Sequence, residues 1–349
     1  MKNPYISIVF ANRNDGYTSD QRLRISNFID FYSYYDKKYP GLFEFVICDW
    51  NPPENTPPLR DEYEWTKLDR VIHLVVPKQI HSELCPDHSR PILDYTARNA
   101  CIRRASAPFI LVINQDIFLS ASILKFLSQR QLSSNCFYRA DRCDFKFDYK
   151  EGFADWEHFD EYAITHALQK HIRTLSYKEE GTLAVNKKNF SLIRTTRSNF
   201  EYKINNVIYS RFYQLFRSFS IIVLKLLNRL GCKKNCSYKR FGLHTNASGD
   251  FLLAAKQAFY DVHGFVETYH FYMHLDSYMC AQLFAAGYRQ VILSGNHLAF
   301  HSDHSRSARE SRPESMGYHD HAKIFRDICL GKRSYKINQK SWGLESLNL

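Results

Sequence analysis

Residues 109–116 read FILVINQD, in which five consecutive apolar residues are followed by Asn114, Gln115 and Asp116. A short apolar run bounded by polar residues is typical of a strand that is buried on both faces of a parallel sheet. The segment before it, Tyr95 to Ala105, has helical spacing. The stretch therefore predicts a helix, a buried strand and a carboxylate at the carboxyl end of that strand.

Two earlier apolar runs end in the same way. Tyr5 to Ala11 stops at Asn12, Phe43 to Cys48 stops at Asp49, and Gln21 to Tyr35 between them has helical spacing. Strands that alternate with helices predict an α/β fold with a mostly parallel, Rossmann-like central sheet flanked by helices. Ligands of such sheets bind beyond the carboxyl ends of the strands. The polar residues at the three strand ends are therefore expected to line one crevice.

The same patterns place the remaining elements. Predicted strands also include Val71 to Val76, Gly181 to Val185, Asp250 to Ala255, Val291 to Leu293 and His297 to His301. Predicted helices also include Lys256 to Val262, ended by Gly264, and His274 to Ala286, closed by Gly287. The pattern between residues 133 and 206 is mixed and polar, and the residues after 302 are charged and mostly basic.

Composition limits the class of protein. The 349 residues suffice for one large α/β domain or two ordinary ones. With 44% hydrophobic and 24% charged residues, the chain is globular and not intrinsically disordered. Lys and Arg exceed Asp and Glu by 47 − 36 = 11, which favours anionic partners, but no RNA- or DNA-binding motif accompanies this charge. Nine scattered cysteines indicate reduced thiols in the cytoplasm.

The segment Val207 to Leu230 predicts a helix with two unlike faces. Its cationic and polar side chains project to one side, and its Phe, Val and Leu side chains project to the other. Its longest uncharged run is too short to cross a bilayer, which needs ~20 apolar residues. Two interpretations stay open: a helix that lies on an anionic membrane surface, and a core-facing helix with a solvated charged side.

The order of motifs resembles that of the GT-A glycosyltransferases, especially the family 2-like enzymes of bacterial surface-polysaccharide type. Ile6 to Asn14 is similar to their first nucleotide-binding strand and loop, and Ala97 to Ile102 is similar to the helix before their metal-binding strand. Asn114-Gln115-Asp116 occupies the position of their Asp-x-Asp motif, with Asn in place of the first acid. The resemblance implies nucleotide-sugar binding, with a UDP-sugar favoured, by Ala11, Asn12, Arg13, Asp49, Arg98, Asn114 and Asp116.

The second half of the chain resembles the acceptor side of the same enzymes. Gly249 to Ala254 and Val262 to Glu267 are similar to their acceptor-side strand and turn, and Asp276 lies where they carry a catalytic acid. The resemblance implies that Asp276 is the general base of an inverting displacement. It implies acceptor contacts from Asp250, His274 and Glu267, and a site for Mn²⁺ or Mg²⁺ at Asp116 and His301, with His304 as an alternative to His301.

A plainer interpretation exists for each acid. Asp116 could be a loop acid or a helix N-cap, and Asp276 could be a first-turn acid that is stabilised by the helix dipole. The single carboxylate of the Asn114-Gln115-Asp116 motif also leaves open whether the cation is required.

These observations predict a GT-A-like glycosyltransferase of the hexosyl or N-acetylhexosaminyl class, located in the cytoplasm. Residues 1–130 would form the nucleotide-sugar-binding half. Residues 131–305 would form the acceptor-binding half, with the amphipathic insertion at 207–230, and residues 306–349 a basic tail. The acceptor would be a saccharide, free or lipid-linked, and the insertion would bring the enzyme to the inner face of the plasma membrane. A non-catalytic sugar-binding protein of the same fold and a sugar nucleotidyltransferase are the alternatives.

Overall fold

The structure, a computed structural model, describes residues 3–16, 18–148, 153–168, 175–177, 183–185, 243–271, 273–304, 317–347 and 349. The predicted amphipathic helix Val207 to Leu230 lies outside the described residues, as do residues 306–316 at the start of the predicted tail. No helix in the described ranges combines the length and the apolar character that crossing a bilayer requires.

Most predicted elements are present within a few residues of their predicted bounds. The strands are β1 (Ile6–Asn12), β2 (Phe43–Trp50), β3 (Val71–Val76), β4 (Phe109–Val112), β5 (Ile117–Leu119), β6 (Cys136–Phe145), β7 (Leu175–Tyr177), β8 (Leu183–Val185), β9 (Leu252–Ala255) and β10 (Arg289–Ser302). The helices are α1 (Gln21–Lys38), α2 (Leu59–Glu62), α3 (Lys78–Leu84), α4 (Asp94–Arg104), α5 (Ala121–Ser128), α6 (Phe159–Thr165), α7 (Lys256–Val262), α8 (Leu275–Ala286) and α9 (Tyr318–Cys329). Short 3-10 turns occur at Trp65–Lys67 and Trp156–His158.

Eight strands form one sheet in the order β3-β2-β1-β4-β9-β6-β10-β5, and β7 pairs with β8 separately. The first four strands of this order are parallel to one another, and β6 is parallel to β10. β9 runs antiparallel to both of its neighbours, and β5 runs antiparallel to β10. The predicted α/β fold class, with a mostly parallel central sheet flanked by helices, is confirmed.

Helices cover both faces of the first half of the sheet. Ile8 and Phe10 of β1 pack in a cluster with Phe28 of α1, whereas Val9 packs in a second cluster with Ala97 of α4. Successive side chains of a strand point to opposite faces. Because both faces are covered, β1 is buried along its whole length and does not alternate between apolar and polar residues.

Two elements of the second half differ from the sequence prediction. β9 runs against the direction of the parallel strands and passes directly into α7, so its start lies at the carboxyl edge of β4. The two short strands predicted at Val291 to Leu293 and His297 to His301 form one strand, β10, whose register against β6 shifts between Leu293 and Leu298. Gly295 lies in this irregular stretch with a φ of +72°, which glycine adopts without steric cost.

The described part of the predicted basic tail belongs to the packed fold. α9 packs against α8, with Ile328 and Leu275 in one buried cluster. The guanidinium of Arg104 then donates hydrogen bonds of 2.6, 2.8 and 3.1 Å to three carbonyl oxygens within residues 343–347. The C-terminal residues are therefore fixed against α4, the helix that precedes the central strand β4.

Gly343 should be far less tolerant of a side chain than Gly331, although both have a φ of +67°. A Cβ atom at Gly343 would lie 2.7 Å from the carbonyl oxygen of Asn99, whereas nothing lies within 4 Å of one at Gly331. We expect Gly331→Ala to cost about 1–2 kcal/mol for the left-handed backbone, and Gly343→Ala to cost about 1–3 kcal/mol more for the clash. Urea unfolding of both variants measures the difference. Equal losses would show that the C-terminal segment does not pack this closely against α4.

Candidate active site

The strand ends bring the predicted polar residues to one edge of the sheet. Asn12 of β1 pairs in register with Asp49 of β2, and β4, parallel to β1, leads into residues 114–116. β9 is antiparallel, so Asp250 before its start lies at the same edge as the end of β4. β6 and β10 run parallel to β4 and end there as well, with His301 opposite Asp144.

Asn12 and Asp49 each present a buried polar atom that lacks a protein partner. The side-chain oxygen of Asn12 accepts a hydrogen bond from Gln21 Nε2 at 3.2 Å, but its Nδ2 has no partner. Oδ2 of Asp49 accepts a bond of 2.9 Å from the backbone N–H of Leu59, but its Oδ1 has no partner. Burial raises the pKa of Asp49, although the Leu59 N–H and nearby Arg13 oppose this effect. Buried polar groups normally have partners, so this donor and this acceptor suit a ligand with the complementary pair.

Ala11 and Arg13, the other predicted nucleotide contacts in the first loop, have different surroundings. The Ala11 side chain packs in the buried cluster with α4, so only its backbone is suited to face a ligand. The Arg13 guanidinium donates to the carbonyl oxygen of Asn51 at 2.7 Å and pairs with Asp15 at 2.9 Å. Arg13 therefore links the loops after β1 and β2.

Asp116 is buried among one guanidinium and two imidazoles. Its Oδ2 is 3.0 Å from Nη1 of Arg24, 3.3 Å from Nε2 of His304 and 3.7 Å from Nε2 of His301. Its Oδ1 is buried and has no hydrogen-bond partner. Burial alone would raise the pKa of Asp116, but His301, His304 and Arg24 hold that pKa well below its usual range. The carboxylate is therefore ionised across the physiological pH range.

The residues around Asp116 fit a divalent cation. One ligand atom each from Asp116, His301 and His304 lies within 4.8 Å of the others. Nδ1 of His301 is 2.7 Å from Oδ1 of Asp144, which orients the ring so that Nε2 faces Asp116. A carboxylate behind an imidazole is the usual support of a metal-binding histidine, and a mixed carboxylate and imidazole set suits Mn²⁺. The unpartnered Oδ1 of Asp116 is a further oxygen ligand available at this point.

Asn114 is held by two hydrogen bonds, one of which an aspartate could not make. Its Nδ2 donates to Asp250 at 2.7 Å, and its Oδ1 accepts from the guanidinium of Arg98. The other oxygen of Asp250 pairs with Arg142 at 2.8 Å, and Arg142 also pairs with Asp144 at 3.0 Å. A carboxylate at position 114 could not donate to Asp250, so the amide is the side chain that fits. Asp250, predicted as an acceptor contact, is thus joined to the cation side of the site.

Asp276 lies in the first turn of α8 and is connected to this network through the backbone. Its Oδ2 accepts hydrogen bonds of 2.9 Å from both the Ser248 hydroxyl and the Gly249 N–H, and its Oδ1 accepts from the Ser277 N–H at 2.8 Å. The carbonyl oxygen of Gly249 in turn accepts from Arg98 at 2.9 Å. Arg98 therefore bridges the loop that holds Asp276 and the side chain of Asn114.

Glu267 and His274 contact residues outside this polar network. Oε1 of Glu267 accepts from Asn99 at 2.9 Å and from the Gly343 N–H at 2.8 Å, so this carboxylate ties its turn to the C-terminal segment. His274 precedes α8 with a φ of +63°, and its ring centroid lies 4.8 Å from that of His321 in α9. The contacts of Glu267 are those of a structural anchor, whereas His274 lies two residues from Asp276.

Three participants escaped the sequence prediction. Arg24 would have been placed on a polar face of α1, because an Asp20 and Arg24 pair at i, i+4 is typical of a solvated helix surface. Arg142 and Asp144 lie in the mixed polar region after residue 133, where no periodicity marked a strand. Charged and apolar residues alternate from Arg142 to Phe145 at the end of β6, and this pattern could have identified both residues.

No protein-family model matches the chain, and no curated protein sequence matches it. Several solved structures resemble it. A mannosyltransferase from Pyrobaculum calidifontis, in complex with GDP-Man and Mn²⁺, has 12% identity and a TM-score of 0.44 over 98% of this chain and 72% of that one. Glucosyl-3-phosphoglycerate synthase from Mycobacterium tuberculosis, in complex with phosphoglyceric acid, has 11% identity and a TM-score of 0.43 over 93% of this chain and 80% of that one. Mannosyl-3-phosphoglycerate synthase from Rubrobacter xylanophilus has 10% identity and a TM-score of 0.39 over 96% of this chain and 76% of that one.

Proposed function

We propose that this protein is a glycosyltransferase that transfers a sugar from a nucleotide-sugar donor to a saccharide acceptor. The observation that carries the proposal is the buried Asp116 carboxylate, with one unpartnered oxygen and two flanking imidazoles, at the sheet edge that Asn12 and Asp49 also occupy. A nucleotide-sugar has a hydrogen-bonding base at one end and the sugar at the other, with a diphosphate between them. The edge offers unpartnered atoms for the base and a group of residues that could hold a cation for the diphosphate.

The donor would lie along the carboxyl edge of the sheet. Nδ2 of Asn12 and Oδ1 of Asp49 would pair with a carbonyl oxygen and an N–H of the base, which a uracil presents side by side. Asp116 and His301, with His304, would hold a divalent cation, Mn²⁺ or Mg²⁺. When bound, the cation neutralises the diphosphate as it leaves. Arg98 and Asn114 would border the diphosphate from the other side.

Asp276 would be the general base of a single displacement. The acceptor hydroxyl oxygen forms a bond to the anomeric carbon as the bond to the diphosphate oxygen breaks and its electron pair leaves with the diphosphate. The hydroxyl proton passes to the Asp276 carboxylate. This route inverts the anomeric configuration, since no side chain forms a covalent intermediate. Asp250 and His274 would contact the acceptor. Glu267 would instead anchor its turn to the C-terminal segment, through its hydrogen bonds from Asn99 and Gly343.

The cellular setting follows from the sequence interpretation. We place the enzyme in the cytoplasm, acting on a saccharide of bacterial surface-polysaccharide type that is free or lipid-linked. The sequence 207–230 would supply the contact to an anionic membrane. Vesicle sedimentation tests this contact, because binding through cationic side chains should weaken as salt screens the charges.

Thermal unfolding with UDP, GDP, CDP and ADP, each with and without Mn²⁺, tests the donor site. We expect one nucleoside diphosphate with Mn²⁺ to raise the melting temperature by several degrees, as ligands of the native state do at concentrations far above Kd. Asp49→Ala should remove this stabilisation, while Asp61→Ala, at an exposed acid of α2, should leave it intact. If no nucleoside diphosphate or nucleotide-sugar shifts the transition, the proposed function is wrong.

Product analysis then separates the alternatives. Transfer of the sugar from the bound donor to a saccharide supports the proposal. Saturable donor binding without transfer or hydrolysis across a panel of acceptors would favour a non-catalytic binding protein. Release of pyrophosphate from a nucleoside triphosphate and a sugar phosphate would favour a nucleotidyltransferase.

A further inference from the structure

A fully buried guanidinium already occupies one side of the cation site. The Arg24 side chain has 0% exposure, and its Nη1 lies 3.0 Å from Oδ2 of Asp116. Nη2 donates to the Thr18 hydroxyl at 2.5 Å, and Nε lies 3.3 Å from Oδ1 of Asp20. Side chains of the loop before α1 therefore hold the guanidinium, and its positive charge stays in a fixed position beside Asp116.

Two guanidinium groups pair with four carboxylates around the site. Asp20 and Asp116 share Arg24, while Asp144 and Asp250 share Arg142. A divalent cation bound at Asp116 would lie close to the fixed positive charge of Arg24, in a region of low dielectric, and would be repelled by it. A diphosphate at the same place would be attracted by that charge.

We infer that Arg24 tunes the site toward the diphosphate: the fixed guanidinium weakens binding of the free cation and strengthens binding of the diphosphate. This inference rests on the proposed function, because it assumes that the ligand of the site is a nucleotide diphosphate. A cation and a diphosphate that bind side by side also raise the affinity for each other by the same factor, whatever Arg24 does to either one alone. Arg24 therefore sets the balance between the two separate affinities.

A purely structural role for Arg24 predicts something different. If the guanidinium only supported Asp116, its removal would disturb the carboxylate and weaken the binding of cation and diphosphate together. A fixed competing charge instead predicts opposite effects on the two affinities, because its removal favours the cation and disfavours the anion. The signs of the two changes therefore distinguish the explanations.

The test compares wild type, Arg24→Gln and Arg22→Gln by titration calorimetry with Mn²⁺ alone, with UDP or the diphosphate found in the donor screen, and with both. Arg22 lies on the same helix, is 73% exposed and pairs with Glu62, so its variant has the same change in net charge. For Arg24→Gln we expect Mn²⁺ alone to bind about tenfold tighter and the metal-free diphosphate about tenfold weaker, an effect within the usual range of coupling between sites. Arg22→Gln should change either affinity by less than about twofold.

Asp20→Asn should change the two affinities in the opposite directions, because the Asp20 carboxylate partly neutralises Arg24. This variant also carries less risk to folding, because Asp20 is partly exposed. Removing its carboxylate leaves Arg24 acting more fully on the site, so free Mn²⁺ should bind more weakly and the diphosphate more tightly. Affinities that change in the same direction, or not at all, in Arg24→Gln or in Asp20→Asn would overturn the inference. If wild type binds no diphosphate even with Mn²⁺, the proposed function fails instead.

Discussion

Asp116→Asn should lower kcat/KM for sugar transfer by roughly 10³-fold and abolish measurable Mn²⁺ binding. A divalent cation on a leaving diphosphate is worth several kcal/mol in the transition state, and each ~1.4 kcal/mol corresponds to a factor of ten in rate. The asparagine amide keeps the size of the side chain but removes the negative charge that faces Arg24, His301 and His304. Steady-state kinetics and titration calorimetry with Mn²⁺ measure the two losses.

Loss of folding is the competing explanation for such a result. Removing one partner of a buried ion pair costs about 3–5 kcal/mol, because the other charge is left without compensation. The double variant Asp116→Asn with Arg24→Gln removes both charges and should recover most of that stability. If the double variant also recovers activity, the first loss came from folding and Asp116 is not a cation ligand. We expect it to stay inactive.

Asp276→Asn should lower kcat by roughly 10²–10⁴-fold, the usual contribution of a general base, while the affinity for the nucleoside diphosphate stays within about twofold. The amide oxygen can still accept from the Ser248 hydroxyl and the Gly249 N–H, so the loop should keep its position. The variant lacks the basicity that takes up the acceptor proton. Single-turnover kinetics with the intact donor separates this step from donor binding.

The matched control is Asp320→Asn, since Asp320 is likewise the acid in the first turn of its helix. Both variants lose the interaction of a carboxylate with the helix dipole, but only Asp276 is proposed to take a proton. If turnover falls by the same small amount in both variants, Asp276 is only a first-turn acid. If Asp276→Asn stays active while Asp116→Asn does not, a retaining mechanism or a different base becomes preferable.

The first half of the fold was predictable because β1, β2 and β4 are buried on both faces. These three strands are therefore mostly apolar, and a polar residue marks the place where each of them leaves the core. The positions of Asn12, Asp49 and Asp116 at one edge follow from parallel pairing alone. The sequence thus predicted that these three residues lie at the same edge of the sheet.

The second half was less predictable because long-range partners determine its geometry. The antiparallel direction of β9 depends on its pairing with β4 and β6, and no residue of β9 itself encodes this direction. Arg24 looks like a surface residue until the ends of β4 and β10 bring Asp116 and two imidazoles to it. Glu267 has the local pattern of an acceptor contact, yet Gly343, 76 residues later, supplies one of its hydrogen-bond partners.

The clamp of Arg104 on residues 343–347 has a consequence for how the protein is made. Its partners lie as many as 243 positions further along the chain, so they leave the ribosome long after α4 does. Until then, water takes the place of these three carbonyl oxygens at the guanidinium. Synthesis order therefore delays the final contacts of α4 until residues 343–347 have been made, although β1, β2 and β4 can pair earlier.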